Sequence, residues 1–509
     1  MIENNLSPHG RNQRAFGILC GLAAALAAAL LVYAETRAYA SDEGFHLLAA
    51  QLIKHGRRPY IDFLFPQTPL NAYWNAMWMF VFGESWRTAH AVAALLTAGA
   101  VLLTADFLLA RFPIANWRFP AAVLAALLVG LNIQVFTFGT VAQAYGFCLF
   151  LSVAAFRVTI FSADRKSILL AGLAGLLGAG AAAGSLLTAP VAPILLIWMV
   201  ICNRAGNRWR KASAFVVGAV IAFVPVIRLL AQGYRPTLFN IFEYHIFHRQ
   251  ENWEGATAHN LDVFSMWANS SQALMLGLLA FAGLRFIATR SQWHRRRRAE
   301  FYLCGWLALA LAVHISIARP TFQRYYLLLT PFLAILAATG LCAIAARLDR
   351  PDRPWRAVAV VAAILSVGLA NTIYEGNGDF DWHDDEAVAA IVKKYNPPHG
   401  EVLGDEQIYF LLQIPPPPGM ELSDSHKLKF NDPALARLLH VVPEADLDRR
   451  ILAGEFSTIQ SCDDDEPFMK MDPARLYART EKTDACKVFS GAFHAPPPPA
   501  APAATASGR

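Results

Sequence analysis

Apolar and polar positions alternate along this chain in long blocks, not with the short periods of a half-buried helix or strand. Most of the apolar blocks approach the roughly 20 residues that a helix needs to cross a bilayer core. There are about eleven of them, the third and fifth being short, at 15–34, 88–110, 119–136, 143–161, 167–183, 186–202, 212–231, 270–289, 301–318, 325–346 and 357–374. The pattern predicts an all-α polytopic membrane protein.

The polar loops between these blocks are basic at every second position. The residues concerned are Arg11, Arg14, Arg111, Arg118, Arg165, Lys166, Arg204, Arg208, Arg210, Lys211, Arg295, Arg296, Arg297, Arg298, Arg347, Arg350, Arg353 and Arg356. Because cytoplasmic loops carry an excess of Lys and Arg, these loops are predicted to be cytoplasmic. The N-terminus is then inside, and the loop around Asp42, residues 232–269 and everything after 375 are outside.

Composition supports the same class. The 509 residues are 55% hydrophobic and 16% charged, whereas about 25% charged residues is usual for a soluble domain. The formal charge of +6 comes from the short basic loops and is not a nucleic-acid signal. Residues 70–82 are apolar and aromatic but too short to span, and they predict an interfacial helix. Ala38-Tyr39-Ala40 resembles a signal-peptide cleavage site, which leaves cleavage of the first block open.

The change of composition near 375 predicts a separate domain after the last span. A strand and turn at 401–405 and helices at 387–394 and 433–439 indicate a small α/β fold. Cys462 and Cys486 are expected to form a disulfide in an oxidising compartment. The predicted organisation is a cytoplasmic N-terminus 1–14, a transmembrane catalytic domain 15–374 with outer loop 35–87, a periplasmic soluble domain 375–494 and a disordered Pro/Ala-rich tail 495–509.

Candidate chemistry begins with the acidic pair Asp42-Glu43, just outside the first span. These acids suit a helix start, where Ser41 would cap and the negative charges would favour the helix dipole. Alternatively, a carboxylate there takes a proton from an acceptor hydroxyl as general base. The rest of the loop offers groups that could hold an acceptor, a phosphate and a lipid tail, namely Arg57, Arg58, Tyr60, Asp62 and Gln67.

A second candidate group lies at the outer end of the tenth span. Arg324 and Tyr325 are either interfacial anchors or ligands of a phosphate, which a guanidinium binds with two parallel hydrogen bonds. His245 and His248 share a helix face, but no third ligand is evident, so a divalent metal stays open and no cofactor is assigned. The glycines between 172 and 184 predict close helix packing, since no strand precedes them and no Lys follows.

These motifs together resemble the GT-C glycosyltransferases of the family-39 type, the protein O-mannosyltransferases and aminoarabinose–lipid A transferases. The resemblance covers roughly residues 10–375. It is carried in order by Asp42-Glu43, by Gly56, Pro59-Tyr60 and Asp62, by Pro69-Leu70 before Tyr73-Trp74, and by Arg324-Tyr325 before Pro331.

The resemblance implies a sugar donor on a polyprenyl phosphate and an inverting reaction. Asp42 matches the family's catalytic acid and Glu43 the second member of the pair, while Arg324 and Tyr325 match residues near the donor phosphate. Gln67 or Thr68 stands where the aminoarabinose enzymes carry a Lys, and no acid occurs at 137–142, where Gln143 is the nearest polar residue.

The sequence therefore predicts a membrane glycosyltransferase, hexosyl or pentosyl, acting on the periplasmic side. Its partners would be the lipid-linked donor and an acceptor that is lipopolysaccharide, another envelope glycan or a protein. The alternative is a transporter or flippase for a lipid-linked saccharide, which would place its functional charges near the bilayer midplane.

Overall fold

A computed structural model describes residues 13–202, 207–248, 256–289, 293–318, 320–348, 354–462, 472–483 and 486–495. Most of the tail predicted to be disordered, and residues 1–12 of the N-terminal segment, lie outside these ranges. The chain divides into two compact units. The first comprises residues 1–61 and 66–379, and the second comprises residues 62–65 and 380–509.

The first unit is mainly helical in its described residues. Eight helices are long and apolar enough to cross a membrane, and three shorter apolar helices join them. Inside a bilayer a helix satisfies its own backbone hydrogen bonds, which is why these apolar blocks fold as helices. The eight are Gln13–Thr36, Trp86–Arg111, Ala144–Arg165, Arg208–Gln232, Ser271–Thr289, Arg295–Ser316, Gln323–Ala345 and Pro354–Glu375; the shorter three are Ala115–Gly130, Ile168–Gly184 and Leu186–Cys202.

These eleven helices coincide with the eleven predicted blocks, so the polytopic all-α prediction is confirmed. The third block differs in detail, because its helix ends at Gly130 and a new one, Ile133–Phe138, follows. Asn132 caps the new helix by accepting a hydrogen bond from the Val135 N–H at 3.2 Å. The helix is thus interrupted shortly before the loop at 139–143. This loop contains Ala142, whose backbone N–H donates to Glu43.

Several helices of the first unit lie outside the spans. Two of them, Glu43–Lys54 and Leu70–Phe82, belong to the first predicted outer loop, and the second of these matches the predicted helix at 70–82. The predicted outer loop 232–269 holds Tyr234–Leu238, the π-helix Phe239–His248 and Ala256–Asn269. The described residues of this predicted loop are therefore mostly helical.

Glycine brings two pairs of spans into close contact. A Cβ on Gly175 would meet the carbonyl oxygen of Phe215, and one on Gly218 would meet that of Gly172. The same holds for Gly283 against Leu336 and Gly340 against Leu279. These backbones approach more closely than any side chain allows, which confirms packing as a role of the glycines at 172 and 175.

Replacing Gly283 by Ala should therefore destabilise the first unit. The added Cβ would collide with the Leu336 carbonyl, a backbone atom that cannot swing aside, so we expect a loss of about 1–3 kcal/mol. Gly277→Ala on the same helix is the control, since nothing lies within 4 Å of its Cβ. Thermal unfolding in detergent checks this. Equal midpoints for the two variants would contradict the packing argument.

The second unit is a small α/β domain, as predicted. Its four strands, β1 Glu401–Leu403, β2 Phe456–Ser461, β3 Tyr477–Lys482 and β4 Lys487–Phe493, form a sheet in the order β1-β2-β4-β3. The β1–β2 pair is parallel and the others are antiparallel. The helices are Trp382–Tyr395, Glu406–Leu412, Pro433–Leu438 and Glu444–Leu452. The predicted Cys462–Cys486 disulfide is present.

A buried carboxylate makes the stability of this domain depend on pH. Burial raises the pKa of Glu406 from 4.5 to about 7, although Ser423 donates two hydrogen bonds to its carboxylate, from N at 2.7 Å and from Oγ at 3.2 Å. The folded domain therefore binds a proton that the unfolded chain releases between these two pKa values. The free energy of unfolding should fall as pH rises through this window and then level off.

Glu406→Gln should remove that dependence. The amide oxygen still accepts from the Ser423 N–H, and the amide NH₂ donates to its hydroxyl, without a charge to desolvate. We expect the variant domain to gain up to about 3 kcal/mol over wild type at pH 8, and less at pH 5. Hydrogen exchange of the β1 and β2 amides in the full-length protein, corrected for intrinsic rates, measures this. An equal gain at both pH values would contradict the role of Glu406.

Candidate active site

Asp42 and Arg324 are paired in the first unit, although they lie 282 positions apart in the chain. Arg324 Nη2 donates a hydrogen bond to Asp42 Oδ2. Asp42 precedes the first residue of the helix Glu43–Lys54, but its side chain makes no capping hydrogen bond. The Asp42 side chain is 46% exposed and that of Arg324 is 17% exposed. The carboxylate is therefore open to an incoming molecule and the guanidinium is partly enclosed.

Aromatic side chains enclose the guanidinium of Arg324. Its Nε donates to the Tyr145 hydroxyl at 3.1 Å. Its Cζ lies 4.6 Å from the centre of the Phe322 ring and 5.9 Å from that of Phe138, within the range of cation–π attraction. A lipid-facing anchor would extend freely toward water, whereas this guanidinium is fixed in one orientation.

The backbone before Arg324 is fixed by the helix Ala256–Asn269. The buried Asn260 side chain donates from Nδ2 to the carbonyls of Ser316 and Ala318, at 3.2 and 2.7 Å, and its Oδ1 accepts from the Thr321 N–H at 3.2 Å. The Trp267 ring stacks on Tyr326 at 4.4 Å between centroids. The helix Ala256–Asn269 thus positions the backbone that leads into the helix Gln323–Ala345.

Glu43 lies apart from the open side of the site, although it follows Asp42 directly. Its side chain is fully buried, and Oε1 is 2.6 Å from His90 Nε2. The same oxygen accepts a hydrogen bond from the Ala142 N–H. The two acids of the predicted pair therefore have different environments.

His46 lies one turn beyond Asp42 on the same helix and is also buried. Burial lowers the pKa of its imidazole to about 3, and the positive charge of Arg324 adds to the effect. The ring is therefore neutral at any physiological pH. A pH dependence of activity in the neutral range cannot come from its titration.

The other predicted residues of the first loop lie in different surroundings. Tyr60 is buried with φ at +69°, and its hydroxyl donates to the Gln67 carbonyl at 2.5 Å, which closes the loop between them. Burial raises the pKa of Tyr60 well above its usual value. Arg57 is half-buried and Arg58 is exposed in the turn after the helix Glu43–Lys54. Asp62 belongs to the second unit and is half-buried there.

Tyr325 is buried beside Arg324, with its ring 6.1 Å from Tyr145 and 5.4 Å from Phe322. It supports the aromatic enclosure of the guanidinium.

No group of three or more His, Cys, Asp or Glu side chains in the described part of the chain is arranged to hold a metal ion.

Sequence reasoning missed His90, Tyr145 and Asn260. His90 had a usable signal, since an ionisable residue inside an apolar span is costly and usually has a specific partner. Tyr145 had none, because tyrosine is common near the ends of spans, and Asn260 had none, because its partners lie more than 50 positions away in the chain.

No family model matches the chain, and no curated protein matches it significantly in sequence. Solved structures do match it. ArnT from Cupriavidus metallidurans bound to undecaprenyl phosphate is 16% identical with a TM-score of 0.65, covering 92% of this chain and 97% of that one. Its apo state is 15% identical with a TM-score of 0.64 over the same shares.

A third match is the apo oligosaccharyltransferase of Archaeoglobus fulgidus. It is 14% identical with a TM-score of 0.52, and the match covers 89% of this chain and 70% of that one. This chain has the GT-C fold. The resemblance carried by the Asp42 loop and Arg324 is thereby confirmed at the level of the fold. In this GT-C chain, the Asp42–Arg324 pair is the arrangement that most directly suggests chemistry.

Proposed function

We propose that this GT-C chain is an inverting glycosyltransferase that moves a sugar from a polyprenyl phosphate to an envelope acceptor on the periplasmic side of the bacterial inner membrane. The observation that carries the proposal is the pairing of an exposed carboxylate, Asp42, with an enclosed guanidinium, Arg324. The fold shared with ArnT, crystallised with undecaprenyl phosphate, supports the choice of donor.

The two side chains suit the two halves of the reaction. An acceptor hydroxyl oxygen attacks the anomeric carbon, and Asp42 takes the hydroxyl proton as general base. The bond between that carbon and the phosphate oxygen breaks, and its electron pair leaves with the polyprenyl phosphate. Arg324 binds the phosphate as negative charge develops on it. No nucleotide is needed, because the lipid phosphate is itself the leaving group.

A donor phosphate would compete with Asp42 for the guanidinium of Arg324. A phosphate offers Arg324 two oxygens in place of one carboxylate oxygen, so donor binding would draw the guanidinium away from Asp42. The carboxylate released from Arg324 would then be available to accept the proton of the acceptor hydroxyl. Donor binding and activation of the base are thus coupled.

The transporter alternative has one observation in its favour, a buried ion pair between two spans. Arg157 Nη2 lies 2.6 Å from Asp106 Oδ2, and both side chains are at most 5% exposed. However, Arg111 and Glu300, 3.6 Å apart, lie in the same charge cluster near the basic ends of these helices. This placement favours a structural clamp over a pathway near the midplane.

The test is a transfer assay with purified full-length protein in detergent. Synthetic polyprenyl phosphates carrying different labelled sugars are offered with lipopolysaccharide, envelope glycan or envelope protein as acceptor. We expect one sugar to enter one acceptor while polyprenyl phosphate is released in equal amount. Transport of intact lipid-linked sugar across vesicles, with no transfer, would favour the alternative.

A further inference from the structure

His90 and Glu43 form a buried pair close to Asp42. The hydrogen bonds of His90 determine how many protons this pair holds. His90 Nδ1 lies 2.7 Å from the Ala34 carbonyl oxygen, which can only accept, so Nδ1 carries a hydrogen. His90 Nε2 lies 2.6 Å from Glu43 Oε1. At this distance one proton lies between the two atoms, whether the pair is imidazolium with carboxylate or imidazole with carboxylic acid.

The same carboxylate fixes a loop that leads into the site. Glu43 Oε1 accepts from the Ala142 N–H, and the Ala142 carbonyl accepts from Asn71 and Asn75, at 3.2 and 2.9 Å. Three residues later Tyr145 holds the Nε of Arg324. Glu43 also adjoins Asp42 in sequence, so one buried side chain lies next to Asp42 and fixes the loop that leads to Tyr145, the partner of Arg324.

We propose that Glu43 and His90 are positioning residues whose shared proton holds the Ala142 backbone, and through it the Asp42–Arg324 site, in its working geometry. The inference rests on the proposed function for its activity readout and deepens it, since it separates the roles of two adjacent acids. Asp42 meets the acceptor, whereas Glu43 never leaves the protein interior.

Glu43→Gln tests the shared proton specifically. At the Oε1 position, an amide presents either an oxygen, which suits the Ala142 N–H but faces the lone pair of a neutral His90, or an NH₂, which suits His90 but faces the Ala142 N–H. Neither arrangement satisfies the Ala142 N–H, His90 Nε2 and the amide at the same time. His90 is fully buried and has lost its carboxylate partner, so no proton taken up between pH 6 and pH 8 makes up for the missing hydrogen bond.

Two other charged side chains surround the pair and are unchanged in the variant. Glu35, at the end of the first span, acts on His90 electrostatically, and Arg87, on the helix that carries His90, lies 3.9 Å from Glu35. The Trp86 ring packs edge-on against His90. These neighbours are the same in wild type and variant, so the ratio of the two activities reports the change at Glu43.

We expect Glu43→Gln to lose at least about tenfold in transfer relative to wild type at pH 8, the order expected for one unmet buried hydrogen bond. His90→Gln should lose a similar amount, and the double variant should lose little more than either single variant, because the shared proton is lost only once. The thermal midpoints should show the same non-additivity. A Glu43 side chain that merely filled space would tolerate the isosteric amide without loss.

Asn75→Ala is the matched control. It removes a hydrogen bond to the same Ala142 residue but leaves the Glu43–His90 proton in place and Asn71 still donating to the carbonyl, so its transfer should stay within a few-fold of wild type. Wild-type activity of Glu43→Gln, or losses of Glu43→Gln and His90→Gln that multiply in the double variant, would overturn the proposal. If the wild type transfers no sugar, the proposed function fails, and the thermal midpoints still decide whether the proton is shared.

Discussion

Asp42→Asn is expected to lower sugar transfer about 10²–10⁴-fold, the usual cost of losing a well-placed general base. The amide keeps the size of the side chain, and its oxygen can still accept from Arg324. It lacks the basicity needed to take a proton from the acceptor. Initial rates of transfer from a polyprenyl-phosphate donor, at equal amounts of purified protein, measure the effect.

The control for this variant removes a carboxylate from another arginine pair in the same unit. Glu243, in the π-helix Phe239–His248, is paired with Arg235, and its side chain is 24% exposed. Glu243→Gln breaks a comparable surface ion pair, which is worth about 1 kcal/mol or less, and should transfer sugar within a few-fold of wild type. Activity of Asp42→Asn at the level of Glu243→Gln would rule out Asp42 as the base.

Arg324→Lys is expected to reduce transfer at least about tenfold while the protein inserts and folds normally. Lysine keeps the charge and the ability to reach the interface, but loses the planar fork. That fork donates to Asp42 and Tyr145 at once in the free site, and would bind two phosphate oxygens when donor is present. The loss should appear mainly in kcat, because charge builds on the phosphate as the sugar leaves.

Arg235→Lys is the matched control, since it makes the same exchange in the Arg235–Glu243 pair. It should retain nearly all activity. If Arg324→Lys behaved identically, Arg324 would be an interfacial anchor and the site would rest on Asp42 alone.

The helices were predictable from sequence because a bilayer imposes one length and one composition on every span. The break at Asn132 was not, since it depends on one capping hydrogen bond inside an apolar block. The domain after the last span could be predicted from its composition. That residues 62–65 belong with it could not, because nothing in their sequence distinguishes them from the rest of the first loop.

The candidate site was predictable in part for a similar reason. Charge alternation placed Asp42 and Arg324 on the same side of the membrane, and the structure pairs them. The separation of Asp42 from Glu43 follows from helix geometry, in which consecutive side chains point about 100° apart. Which of the two acids would be buried depended on His90, a tertiary partner that local pattern does not reveal.

The most direct test of the account is to follow both products of one reaction, the glycosylated acceptor and the free polyprenyl phosphate, with wild type and Asp42→Asn side by side. The account predicts equal amounts of the two products from wild type and at least about a hundredfold less of both from the variant. Equal transfer by both proteins, or movement of the lipid-linked sugar across the bilayer with its phosphate bond intact, would contradict it.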